Sequence, residues 1–172
     1  MSRLLAFVAL AAIFLALAPG IAPVPKASAQ EASRSGQPVP RFVTIGRSRV
    51  NMRQGPSTSH RILWEFVGQQ GLPVEVVAET ETWRQIRDPE GDLGWVHRSL
   101  LDNSRGVVIA GSLRALRRGP AADAQIIAYM EARVVARLSQ CTTVWCQITA
   151  DCYTGWVRHD EVWGVYPREV VN

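Results

Sequence analysis

Val50-Asn51-Met52-Arg53-Gln54-Gly55-Pro56 returns 64 residues later as Arg114-Ala115-Leu116-Arg117-Arg118-Gly119-Pro120, with Arg, one residue and Gly-Pro kept in place. Two further words follow each copy in the same order. Trp83-Arg84-Gln85-Ile86 is answered by Trp145-Cys146-Gln147-Ile148 at an offset of 62, and Gly94-Trp95-Val96 by Gly155-Trp156-Val157 at 61. Four of the six tryptophans fall on these matched positions, so coincidence explains the order poorly. The chain is an internal repeat whose second unit is shorter by a few loop residues.

The segments around these words are short and punctuated. In the first unit, residues 49–53 alternate as a strand does, and 54–60 have the composition of a turn. Residues 62–67 are apolar, 74–77 are rich in valine, and 83–87 and 94–96 are two more strand segments. Asp88-Pro89-Glu90-Gly91-Asp92 reads as a hairpin turn. Five short strands without a ten-residue helical pattern predict a small all-β barrel over 42–101. A second barrel is expected over 108–166, where 126–130, 133–138 and the tighter turn Thr149-Ala150-Asp151 take the equivalent places.

Leu101 to Arg105 reads as a polar hinge too short to separate the units, so two barrels packed side by side are expected. Trp163-Gly164-Val165-Tyr166-Pro167 has no visible partner in the first unit and is expected to add a strand or cover an open edge. A barrel of ~60 residues is marginal because it buries a small share of its surface. Contact between the units and a disulfide are the two available reinforcements.

The N-terminus has a different character. Arg3 precedes an apolar run of 14 residues, Leu4 to Leu17, which Pro19 and Gly20 end before Ala27-Ser28-Ala29. This is the three-part pattern of a secretory signal peptide over 1–29, and the run falls short of the ~20 apolar residues that span a bilayer. Residues 30–41 then read as a flexible tether. Export to the periplasm or cell envelope is expected, with no membrane span after cleavage. The remaining 17 arginines face 15 acidic residues, a net of +2, which is too mild a charge to argue nucleic-acid binding.

Cys141, Cys146 and Cys152 all lie in the second unit, and an oxidising compartment favours pairing. Cys141 ends one strand and Cys146 opens the next across a hairpin, which predicts the Cys141–Cys146 disulfide. Cys152 is left either to a covalent dimer or to a buried thiol.

Both units resemble bacterial SH3-like domains, on Val50-Asn51-Met52-Arg53-Gln54-Gly55-Pro56-Ser57-Thr58, Gly94-Trp95-Val96-His97 and their second-unit counterparts. The second departs at Arg114-Ala115, where the family usually has Leu-Asn or Val-Asn. The resemblance implies small extracytoplasmic barrels that act mostly as binding modules, some of them for peptidoglycan stem peptides. The partner expected is therefore a peptidoglycan stem peptide or, alternatively, an envelope protein or extended peptide, with no cofactor.

Trp83 and Trp145 open equivalent strands and would offer flat apolar platforms beside a groove. Arg53 and Arg117, just before the Gly-Pro turns, would bring cations to the same side. The competing reading for the arginines is pairing with a local acid, while Trp95 and Trp156, each beside a glycine, read as packing residues. A cysteine peptidase or amidase would need Cys146 or Cys152 as nucleophile and His159 as base, but no further domain supplies a cleft, so no catalytic residue is assigned. No H-x-x-H, H-E-x-x-H or C-x-x-C spacing appears, and no metal site is expected.

Overall fold

The computed structural model describes residues 35–172. The leader at 1–29 and the start of the tether lie outside the described residues. In the first unit β1 (Arg41–Ile45), β2 (Arg49–Arg53), β3 (Ile62–Val67), β4 (Pro73–Glu79), β5 (Trp83–Arg87), β6 (Leu93–His97) and β7 (Leu101–Asp102) form one antiparallel sheet in the order β3-β2-β6-β5-β4-β1-β7. In the second, β8 (Gly106–Ile109), β9 (Arg114–Arg117), β10 (Ile126–Met130), β11 (Val135–Cys141), β12 (Trp145–Ala150), β13 (Tyr153–Arg158) and β14 (Val162–Trp163) repeat that order strand for strand. A single 3-10 turn, Arg98–Leu100 or His159–Glu161, precedes the last strand of each unit. The fold is all-β, two tandem SH3-like barrels.

β2, β6, β12 and β13 close their barrels by alternation. Val50 and Met52 of β2 point inward and join Val43, Ile45, Phe66, Val74, Val76, Ile86 and Val96 in the first core. Leu116, Ile148, Val157 and Ile109 are the centre of the second. The repeated Gly-Trp-Val word has a packing reason. A Cβ on Gly155 would stand 2.7 Å from the Arg117 carbonyl oxygen and 2.7 Å from Leu116 Cγ, so β13 can cross β9 this closely only through glycine. Gly94 plays the same part against Met52 and the Arg53 carbonyl.

Three strands, β1 and β7 in the first unit and β8 in the second, were not expected. β1 (Phe42-Val43-Thr44-Ile45) and β8 are buried along most of their length, because one face enters its own barrel and the other meets the neighbouring unit. Two-sided burial erases the alternation by which a strand is read from sequence. The C-terminal segment also needs correction. Val162–Trp163 pairs with β8 as Leu101–Asp102 pairs with β1, so the added strand does have a counterpart in the first unit. Only the geometry repeats there, not the residues.

The units meet around Phe42. Its ring stands edge-on to Trp163, with centroids 5.0 Å apart, and tilted against Tyr166 at 4.8 Å. Arg105, between β7 and β8, lies over the same ring and makes two bonds to the Glu169 carboxylate, at 2.8 and 3.1 Å. Tyr166 donates its hydroxyl to Glu75 Oε1 at 3.0 Å, and Arg87 donates to the other Glu75 oxygen at 2.7 Å. Burial and the Glu75 partner push the Tyr166 phenol well above its ordinary range. No helix among the described residues is long and apolar enough to cross a membrane.

Candidate functional site

Trp83 and Trp145 begin β5 and β12, and each is only 8% exposed. The backbone N–H of Trp83 donates to Thr80 Oγ1 at 3.1 Å, and that of Trp145 to Thr142 Oγ1 at 3.0 Å. Both indoles are buried without joining either hydrophobic core, and Trp83 meets His97 edge-on at 5.4 Å. Neither tryptophan presents the open face expected of it. Trp95 and Trp156, read as packing, are partly exposed and stand opposite Arg53 and Arg117 in register.

Arg53 and Arg117 are also committed locally. Arg53 donates to the carbonyls of Thr58 at 2.9 Å and His60 at 2.8 Å, and Arg117 donates to the Ala124 carbonyl at 3.0 Å. Each guanidinium ties the loop after its Gly-Pro turn back to the strand. Local pairing is thus right in kind, but the partners are carbonyls and not acids.

The predicted Cys141–Cys146 disulfide is present, between residues paired across β11 and β12 with Cα atoms 4.1 Å apart. Glu79 and Arg84 hold the same register across β4 and β5 in the first unit and form an ion pair of 3.0 Å. One barrel is fastened by charge and the other covalently. His159 stands close to the disulfide, at the place Arg98 takes in the first unit. Cys152 is exposed, which removes the buried-thiol reading.

A cleft of ≈ 330 Å³ opens where the units meet. Its apolar lining comes from Trp64, Phe66, Leu72, Val108 and Val135, and its charged lining from Asp88, Glu90, Asp92 and Arg133. Trp64 on β3 is 55% exposed. The hairpin turn presents the acids because Asp88 Oδ1 accepts the N–H groups of Glu90 at 3.1 Å and Asp92 at 2.8 Å. Burial pushes the Asp88 carboxyl above its ordinary value, against those two bonds. Arg133 reaches across from the second unit to pair with Glu90. Three carboxyl groups against one guanidinium, beside an exposed indole, suit a ligand that carries an ammonium group.

Sequence reasoning assigned Trp64 to a strand and the Asp88 segment to a turn, and gave neither a site. One signal was available. Trp64 stands outside the repeated words, at a position where the second unit has Ala128, so the barrel does not need an aromatic residue there.

A family model described as bacterial SH3 domain matches residues 46–103 and again 110–164. Among solved structures, NlpC2 from Trichomonas vaginalis is similar at 12% identity over 72% of this chain and 48% of that one, with a TM-score of 0.33. NlpC1 from the same organism is similar at 14% identity over 76% of this chain and 48% of that one, also with a TM-score of 0.33. The chain spans about half the length of each, and at these scores neither likeness carries an argument about function. No curated protein matches.

Proposed function

Because the chain belongs to the bacterial SH3 domain family, matched over both barrels, we propose that it is a non-catalytic binding module exported to the cell envelope, where the cleft between its barrels takes the peptide part of peptidoglycan. The observation that carries this reading is the pairing of exposed Trp64 with the acidic turn at 88–92 in one cleft. The indole supplies an apolar face for a peptide, and the carboxyl groups attract the free amine of a diamino acid in a stem peptide. A non-catalytic role is supported by Cys146, whose sulfur is held in the disulfide and is no nucleophile beside His159. Export rests on the leader pattern at 1–29.

Co-sedimentation with purified sacculi tests the reading. Wild-type protein is expected to be retained, and Trp64→Ala to weaken retention about tenfold, in line with the loss of one aromatic anchor. Retention unchanged in Trp64→Ala would remove the cleft from the site. No retention at any salt concentration would remove the wall peptide.

A second reading has its own observation. β3 is the outer strand of its sheet and exposes Ile62, Leu63, Trp64 and Val67. Such an edge accepts an added strand from an extended peptide or an envelope protein. Capture of an envelope protein that is lost in Leu63→Lys, with no sacculus binding, would select this reading over the first.

A further inference from the structure

Cys141 Sγ, Cys146 Sγ and a ring nitrogen of His159 all lie within 4.8 Å of one another. All three residues are buried, at 2%, 0% and 8% exposure. His159 Nε2 is buried and makes no hydrogen bond, a state that buried polar nitrogens rarely tolerate. His159 also lines a surface cleft of ≈ 570 Å³ beside Val144, Arg158 and Val162, so the cluster lies just beneath the surface.

The backbone holds this trio firmly. His159 donates its N–H to the Val144 carbonyl at 2.8 Å, which fixes the 3-10 turn against the β11–β12 loop. Cys141 exchanges two backbone bonds with Val171, at 2.8 and 3.0 Å, so the C-terminal segment braces its other side. The first barrel places Glu79, Arg84 and Arg98 at the three equivalent positions. The second has exchanged a charged cluster for two sulfurs and an imidazole.

We propose that reduction of the Cys141–Cys146 disulfide turns this cluster into a site for one soft d10 cation, Zn2+ or Cu+, bound by both thiolates and the His159 imidazole. The step balances. A dithiol breaks the S–S bond, delivers two electrons and two protons to the two sulfurs, and leaves as its own disulfide. The cation then takes both sulfurs as thiolates and releases the two protons. Thiolate and imidazole donors select these ions over Mg2+ and Ca2+, which prefer oxygen. Metal–sulfur bonds of about 2.3 Å and metal–nitrogen bonds of about 2.0 Å are within reach of side chains already gathered this closely. The cation would replace one fastening of the β11–β12 end by another.

The test uses protein reduced anaerobically with a phosphine and titrated with Zn2+ or Cu+ in competition with a chromophoric chelator. One ion per chain is expected after reduction and none before it. His159→Gln is expected to weaken binding at least about tenfold, and Cys152→Ser to leave it unchanged. Binding of neither ion, equal binding before and after reduction, or full affinity in His159→Gln would overturn the proposal. Should reduction loosen the second barrel, adding the ion is expected to restore the β signal in far-ultraviolet circular dichroism. A signal that stays lost overturns the proposal equally.

Discussion

Glu79 is the residue on which the first barrel closes. Its carboxylate takes Arg41 at 2.8 Å and Arg84 at 3.0 Å on Oε2, and the Ser35 N–H at 2.8 Å on Oε1, with the side chain 2% exposed. Burial pulls the Arg84 guanidinium down from its ordinary range, and the charge of Glu79 works against that pull. Removing the anion leaves the buried Arg84 guanidinium beside the partly buried Arg41 with no counter-charge from Glu79. Glu79→Ala is therefore expected to lower stability by about 3–5 kcal/mol, read from urea unfolding. Arg53 shows the limit of sequence at this scale. Its pairing with Arg117 was visible as a repeated letter. That each arginine bonds loop carbonyls was not, because those carbonyls become acceptors only when the loop curls back.

At the scale of elements, the repeated words and the alternating strands β2, β4, β5 and β6 were legible, as was the hairpin that carries the disulfide. β1 and β8 were not, since burial on both faces leaves no period of two to read. The cleft escaped for a related reason. It joins β3, the β5–β6 turn, β8 and β11, four pieces far apart in the chain, and no local spacing announces such a meeting. The disulfide closes a short loop, so Cys141→Ser with Cys146→Ser is expected to lower the stability of the second barrel by about 2 kcal/mol, the low end for such a bond. A comparison of urea midpoints checks this. Gly155→Ala is expected to cost about 1–3 kcal/mol in the same measurement, because its Cβ must push β13 from β9.

For the whole molecule, the contact between barrels hangs on Phe42 and on the chain of bonds from Arg87 through Glu75 to Tyr166, and from Tyr166 to Glu169 and Arg105. Phe42→Ala is expected to destabilise the chain by about 3–5 kcal/mol and to raise protease sensitivity between residues 102 and 106. Burial opposes charge on Glu169, but bonds from Arg105 and the Tyr166 N–H hold its carboxyl below the ordinary value of 4.5. A depressed carboxyl contributes stability above its unfolded value and loses that contribution as pH falls through the folded one. The stability gap between wild type and Glu169→Gln, followed by urea unfolding across pH, is thus expected to be full near neutrality and to close below pH 4.5. The different fastenings of the two barrels have a consequence during folding as well. Tandem units with one strand order invite misassembly, in which a strand joins the wrong twin. If β4 were to pair with β12, Glu79 would face Cys146, and Arg84 would be left to Cys141 in the converse error. Each exchange strands a charge in a buried place and prevents the disulfide, so the mismatch between the two barrel ends guards the fidelity of strand pairing.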